Sequence, residues 1–438
     1  MNLDINYLKE NKLKLAQAIT NKNINLNLED FFSVAEDLKI LKSSLQKLNA
    51  RKNELNVEIK NAANSNIDKE ELIKEGSELK IQIKDLEHKL VICEEKYILL
   101  GVKIPTIPSS DTPVGKSADD NVEIAKSGVL PQFDYKIRDH IDLGVSLDIL
   151  DLEKGVDVSG FRGYYVKNQG ALLMLAYLFY ALNKLSTKGY TPMITPTIVK
   201  EFTMFGSGYF KGKNYDETID EIYQLSSKPG TGNTEKKFLT GTAEVPLLGY
   251  HANETLDLSK LPVKLAGYSA CYRSEIGSYS KDVKGIYRVH EFMKVEQVVF
   301  CEADDVKADK LLTEMLDISK ELHSDLGLPY RILQICTGDM HIGKYKAYDI
   351  EVWMPGRNAY GETGSASNFA DWQSRRLNIK YKDSEGNKKY VYTLNSTALP
   401  SPRIFIAILE NHQNKDGSIN IPKVLQPYMM GLTKISNI

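Results

Sequence analysis

Two long stretches of the chain repeat apolar residues at alternating steps of three and four. Leu38, Leu41, Leu45, Leu48, Leu55 and Ile59 make the first seam. Leu72, Leu79, Ile83, Leu86, Leu90, Cys93, Tyr97 and Leu100 make the second. That period is the pattern of helices that pack as a coiled coil. Asn61-Ala62-Ala63-Asn64-Ser65-Asn66 lies between the seams and is short and turn-forming. Two helices so joined run antiparallel, and about 30 residues make each roughly 45 Å long. A hairpin of that length projects as an arm, which the pattern places over about residues 28–100.

The pattern then changes. Gly101-Val102-Lys103-Ile104-Pro105-Thr106-Ile107-Pro108 and Thr112-Pro113-Val114-Gly115 interrupt the helical repeat with prolines and glycines. They predict a linker over about residues 101–118, an N-terminal domain over 1–103 and a second domain over 104–438 of mixed α and β composition. In that domain Leu172 to Leu185 reads as an apolar helix ending at Gly189, followed by a proline-broken strand from Tyr190 to Pro196. Cys271-Tyr272-Arg273-Ser274-Glu275 and Arg288-Val289-His290-Glu291-Phe292 read as a strand, an exposed loop and a returning strand. Asp349-Ile350-Glu351-Val352-Trp353 alternates as a strand does. Thr393-Leu394-Asn395-Ser396-Thr397 reads as a strand feeding a helix that carries Arg403. The fold class expected is α+β.

Composition narrows the classes of function. The 438 residues suffice for two or three domains, and 42% hydrophobic with 26% charged residues is ordinary for a soluble protein. A net charge of −2 gives no overall pull toward nucleic acid, so any RNA site depends on local segregation of charge. The arm has such segregation. Lys39, Lys42, Lys47, Arg51, Lys52 and Lys60 dominate its first helix, while Asp68, Glu70, Glu71, Glu75, Glu78, Asp85, Glu87, Glu94 and Glu95 make the second acidic. The two helices can pair electrostatically, and the basic one can also track an RNA backbone; both readings stay open. Cys93, Cys271, Cys301 and Cys336 form no zinc spacing and are expected as reduced thiols. The first residues lack a secretory pattern and no stretch is apolar enough to span a bilayer, so an intracellular, cytoplasmic protein is expected.

The chemistry concentrates in the second domain. Arginines offer rigid forks of donors for phosphate, and an aromatic face can hold a purine. Neither a G-x-G-x-x-G nor a G-x-x-x-x-G-K-[ST] loop is present, so the nucleotide site expected here has no Gly-rich phosphate loop. Glu244 in Thr240-Gly241-Thr242-Ala243-Glu244 offers a carboxylate to an ammonium group; alternatively Thr242 caps a helix with Glu244 in its first turn. Glu296 sits among Val295, Val298, Val299 and Phe300, where a carboxylate is costly unless paired, and a ligand ammonium is one candidate partner. His341-Ile342-Gly343-Lys344 looks like a nucleotide-binding signature of class I synthetases but stands too late in the chain, and is read as coincidence.

These stretches resemble motifs 2 and 3 of the class II aminoacyl-tRNA synthetases, and the helix and strand from Leu172 to Pro196 resemble motif 1. Over nearly its whole length the chain is similar to the seryl-tRNA synthetase family. The resemblance implies a long antiparallel coiled coil attached to a mostly antiparallel sheet flanked by helices. It implies a homodimer built through motif 1, with no membrane association. It implies formation of seryl-adenylate from serine and ATP with Mg2+, then transfer of the seryl group to tRNA-Ser; whether the selenocysteine tRNA is also charged stays open.

Carried over residue by residue, Arg273 and Arg403 take the catalytic arginine positions, Arg273 on the α-phosphate and Arg403 on adenine and the γ-phosphate. Thr242, Ala243, Glu244, Arg273, Glu296, Asn395 and Thr397 take the serine-binding positions. Arg273, Ser274, Glu275, Val289, Phe292, Glu362, Thr363, Gly364, Ser365 and Arg403 take the ATP-binding positions, with Glu362 and Ser365 as magnesium ligands. Lys39, Lys42, Arg51 and Lys52 in the arm, with Lys281 and Lys284 in the loop of motif 2, take tRNA-contacting positions. Arg375 and Arg376 can either orient substrate groups or pair with Asp349 and Glu351, and the structural role is the one expected. The chain departs from the family at Ser396, Ala398 and Pro402, where glycine is usual. Two rival readings are a related enzyme that loads an amino acid on a carrier protein, and a non-catalytic paralogue. The arm argues against the first, and retention of Arg273, Glu296 and Arg403 against the second.

Overall fold

A computed structural model describes residues 3–62, 69–226, 235–276 and 284–437. Most of the expected arm turn, from Ala63 to Asn66, and the loop residues Lys281 and Asp282 lie outside them. The chain divides into two compact units, Leu3–Thr20 with Ile24–Ile104, and Asn21–Asn23 with Pro105–Ile438.

In the first unit, α1 (Leu28–Ala62) and α2 (Lys69–Gly101) pair along the predicted seams. Leu38, Leu55, Leu79 and Ile83 are buried, while Ile40, Val57, Ile81 and Val91 off the seam face solvent. Phe31 stacks on Tyr97 with centroids 5.5 Å apart, and Cys93 Sγ reaches the Val34 carbonyl at 3.6 Å. Charges pair across the hairpin as well. Arg51 forks onto Glu75 at 2.8 and 3.0 Å and also holds Glu58 at 2.8 Å, and Lys42 meets Glu94 at 2.9 Å.

The second unit is built on an eight-stranded sheet. Its strands are β1 (Val122–Ser127), β2 (Thr191–Ile194), β3 (Val263–Tyr272), β4 (Glu291–Cys301), β5 (Tyr330–Gln334), β6 (Lys346–Met354), β7 (Ala359–Asn368) and β8 (Tyr392–Pro400). They lie in the order β1-β5-β6-β7-β8-β4-β3-β2. Every pairing is antiparallel except that of β2 with β3. Central strands are covered on both faces, which is why β4 carries Val295, Val298, Val299 and Phe300 without polar alternation. Against that background the buried Lys294, Glu296 and Gln297 stand out.

Helices cover the sheet. They are α3 (His140–Ser146), α4 (Asn168–Thr187), α5 (Glu244–Tyr250), α6 (Asp305–Asp325), α7 (Trp372–Leu377) and α8 (Ser401–Asn411). Tyr177, Leu322 and Phe405, from α4, α6 and α8, join the sheet residues in one large core. The long α6 starts at Asp304, whose side chain accepts the N–H groups of Val306 and Lys307 at 2.9 and 3.0 Å, a cap worth about 1 kcal/mol. Pro402 stands in the first turn of α8, where its missing N–H costs no hydrogen bond. Among the described residues no helix is long and apolar enough to cross a membrane.

Candidate functional site

The ends of β3, β4 and β8, the start of α8 and one face of β7 converge on a cavity of about 460 Å³. Its polar groups fall into two sets.

The first set is acidic and lies between α5, β4 and β8. Glu244 Oε1 accepts from Asn395 Nδ2 and Gln373 Nε2, each at 2.7 Å. Burial pushes the Glu244 carboxyl up to about 7, and the Glu296 charge adds to this. Glu296 is 3% exposed and accepts from the hydroxyls of Thr397 at 3.2 Å and Thr242 at 3.4 Å. Its main partner is Lys294, two residues earlier on the same face of β4. The sequence reading offered a ligand ammonium for this carboxylate, and the fold itself supplies a cation. Lys294 also donates to Thr397 Oγ1 at 3.4 Å. Thr242 serves the fold too, its hydroxyl accepting the Glu244 N–H at 3.3 Å at the start of α5. Ala243 is fully buried beside it.

The second set is cationic. Arg273 Nε donates to the Gly241 carbonyl at 3.3 Å, and its guanidinium lies 5.3 Å from the Phe292 ring centroid. Its terminal nitrogens make no hydrogen bond among the described residues. Arg403 Nη1 donates to the Glu362 carbonyl at 2.7 Å and to its carboxylate at 3.4 Å. Burial would raise the Glu362 carboxyl, but Arg403 and Arg273 outweigh it and hold the group below the usual carboxylate range. Asp349, its neighbour across β6 and β7, is pushed up to about 7 by burial and then by Glu362, while hydrogen-bonded to Ser365. Gly364 permits close approach of β7 to β8, since a Cβ there would lie 3.2 Å from the Thr397 carbonyl. Thr363 lines the cavity but is 2% exposed, and its hydroxyl is engaged behind it, bonded to His323 Nε2 at 2.9 Å and to the Ile350 carbonyl at 3.1 Å.

The positions on either side of the loop that the sequence reading gave to the nucleotide are only partly open. Val289 and Phe292 line the cavity. Glu275 does as well, but Arg288 Nη1 holds its carboxylate at 2.5 Å. Ser274 does not join them. It follows Arg273 on extended chain, so it faces the other way and lines a neighbouring groove with Tyr223 and His290. Arg375 pairs with Asp371 at 3.0 Å, and Arg376 lies 3.6 Å from the Trp372 ring centroid, its pKa lowered to about 9 by burial. Their expected partners are elsewhere: Glu351 pairs with Arg331 at 2.6 Å. The helix α7 turns both arginines toward its own residues and away from β6. Lys284 pairs with Asp139 at 2.6 Å.

The sequence reading gave no site role to Lys294, Gln373, Tyr287, Asp349 or Lys344. Strand alternation from Glu296 points to Lys294. Lys344 and His341 belong to the segment set aside as coincidence, yet both line the cavity. Nothing local in the sequence marks Gln373.

Comparison with known proteins accounts for both units. Residues 2–108 match the model of the seryl-tRNA synthetase N-terminal domain, and residues 223–412 that of the tRNA synthetase class II core domain (G, H, P, S and T). The chain is 39% identical to a serine–tRNA ligase of Borrelia garinii subsp. bavariensis, with 97% of each chain covered. It is 40% identical to one of Deinococcus radiodurans, with 98% of each covered. Among solved structures it is similar to the seryl-tRNA synthetase of Pyrococcus horikoshii complexed with ATP, at 34% identity and a TM-score of 0.86, with all of both chains covered. With the arm, the antiparallel sheet and the paired acidic and cationic walls of its cavity, the chain belongs to the seryl-tRNA synthetase family of class II aminoacyl-tRNA synthetases.

Proposed function

We infer that this protein activates L-serine with ATP and passes the seryl group to the 3′ end of tRNA-Ser. The observation that carries this reading is the division of one cavity into an acidic end, Glu244 and Glu296 with Asn395 and Thr397, and a cationic end, Arg273 and Arg403. The acidic end suits an amino acid's ammonium group and hydroxyl. Hydrogen bonds to that hydroxyl penalise analogues lacking it, because the buried partners are then left unsatisfied. The cationic end suits a bent triphosphate, with Arg273 on the α-phosphate where charge develops as the serine carboxylate attacks and pyrophosphate leaves. Phe292 and Arg403 would face the adenine ring, and Val289 its edge. No side chain acts as a covalent nucleophile. Serine-dependent exchange of pyrophosphate into ATP tests the reading. Exchange with serine and not with alanine is expected; exchange driven by another amino acid, or none, overturns it.

Mg2+ fits the cationic end. The charged carboxylate of Glu362, the Ser365 hydroxyl and the nearby Asp349 are hard oxygen donors, and among the described residues no cluster of three His, Cys, Asp or Glu forms a closed cage. Such a set would hold the ion with phosphate oxygens as further ligands. When bound, the ion would neutralise phosphate charge.

Glu244 gives this reading a pH dependence. Serine's ammonium group needs the ionised carboxylate, and burial holds that carboxyl up at about 7. The expected kcat/KM for serine therefore climbs as pH rises through about 7 and then levels off. Glu244→Gln should abolish that climb, and a flat wild-type profile from pH 6 to 8 would contradict the assignment.

The arm is proposed to grip tRNA. Lys42 and Arg51 are engaged across the hairpin, whereas Lys39 and Lys52 remain exposed for phosphate. Replacing both by alanine should raise the KM for tRNA and lower the salt slope of tRNA binding by about 2, leaving pyrophosphate exchange unchanged. An unaltered salt slope would remove these two lysines from the interface.

The second unit is proposed to pair with a second copy. Leu175 and Phe179 on α4 and Ile194 on the edge strand β2 are exposed, Ile194 at 85%. Exposed large apolar side chains of this kind suit an interface. A cytoplasmic location is proposed from membership of the seryl-tRNA synthetase family.

A further inference from the structure

Glu410 lies on α8, seven residues beyond Arg403 and 1% exposed. A carboxylate so buried must be fully paired, and two separate segments pair it, one at His140 and one at Gly356. Its Oε1 accepts the backbone N–H and the ring Nδ1 of His140, each at 3.0 Å. Its Oε2 accepts the Gly356 N–H at 2.8 Å. His140 is itself buried, and its Nε2 accepts the Ile286 N–H at 3.4 Å. Because Nε2 accepts, Nδ1 carries the proton given to Glu410, so every member has a matching partner. The packing leaves no slack: a Cβ on Gly285 would collide with the His140 ring, and one on Gly356 would lie 2.7 Å from Glu410 Oε1.

Of the residues next to these anchors, Tyr287 meets Arg403 and Arg357 packs on Tyr287. Tyr287 follows Ile286, and Arg357 follows Gly356. The guanidinium of Arg357 lies 4.0 Å from the Tyr287 ring centroid and that of Arg403 4.6 Å. Arg403 Nε donates to the Tyr287 carbonyl at 3.3 Å. The bed on which Arg403 rests is therefore fixed from below by His140 and Glu410. None of the hydrogen bonds of Glu244, Glu296, Asn395 or Thr397 runs through this cluster.

We propose that His140 and Glu410 are positioning residues for Arg403, holding Tyr287 and Arg357 so that the arginine meets the nucleotide, independently of the serine pocket. The proposal rests on the reading of the cavity as a serine-activating site. Glu410→Gln keeps the shape but sets an amide donor against the donors of Gly356 or His140. Arg357→Met removes an exposed part of the same bed without touching the buried pair. In serine-dependent pyrophosphate exchange, Glu410→Gln should lower kcat/KM for ATP by about tenfold or more, as small misplacements of a charge-bearing group do. The KM for serine should stay within about twofold. Arg357→Met should act in the same direction, and the double variant should fall short of the product of the two effects. Wild-type ATP parameters in Glu410→Gln, or an equal rise in both KM values, would overturn the proposal. Should Glu410→Gln fail to fold, an unchanged KM and kcat for ATP in Arg357→Met overturns it alone. Absence of exchange in the wild-type protein would overturn the serine-activating reading as well, so the two failures are distinguishable.

Discussion

Replacing Arg273 by glutamine is expected to slow serine-dependent pyrophosphate exchange by about 10²- to 10³-fold, the usual loss when one preorganised donor at a developing charge is removed. The geometry says why the effect should fall on the chemical step. Nε is tethered to the Gly241 carbonyl at 3.3 Å and the guanidinium lies against Phe292, so the group is aimed before any nucleotide arrives. Its terminal nitrogens make no hydrogen bond among the described residues. Glutamine keeps polarity and some length but loses the charge and the fork. The account expects the loss mainly in kcat, with the KM for serine moving less, since the acidic pocket is built from other elements. A variant with wild-type kcat would remove Arg273 from the reacting centre.

Lys294→Met should cost the protein about 3–5 kcal/mol of stability, the range found when one partner of a buried ion pair is removed. Lys294 and Glu296 are 6% and 3% exposed, and without the ammonium group Glu296 keeps only the hydroxyls of Thr242 and Thr397. The methionine fills similar volume, so the cost isolates the stranded charge. Adding Glu296→Gln should restore much of the loss, because the double variant buries no unpaired charge. Thermal unfolding of the wild type, both single variants and the double variant measures this. If Lys294→Met unfolds at the wild-type temperature, the pair is not the electrostatic floor of the pocket.

The arm was legible in the sequence because a single period carries it. Of the seam residues, Leu38, Leu55, Leu79 and Ile83 are buried and the others half-buried, while Phe31, Phe32 and Ala35, outside the predicted seam, are buried as well. The segments that carry the site were legible for a different reason: β4 and β8 are buried along most of their length and show no alternation, and it was the resemblance of the short runs around Arg273, Phe292, Asn395 and Arg403 to family motifs that marked them. Strand geometry also explains two misses. Lys294 shares the face of Glu296 and should have been read with it, and Ser274 follows Arg273 and so faces another groove. The remaining misses arise from contacts that no local pattern encodes. Gln373 reaches Glu244 from 129 positions away, and His140 reaches Glu410 from 270. The charge segregation in the arm left two explanations open, and the fold shows that one of them operates, because Arg51 and Lys42 meet acids of the returning helix. His341 and Lys344 show the converse: a segment with a misleading resemblance still lines the cavity.

The most direct test is the structure of the protein with a non-hydrolysable seryl-adenylate analogue. The account predicts the analogue's amine within hydrogen-bonding distance of Glu244, its seryl hydroxyl at Glu296 and Thr397, its phosphate mimic on Arg273, and its adenine between Phe292 and Arg403. An amine directed away from Glu244, or a phosphate mimic with no contact to Arg273, would contradict it.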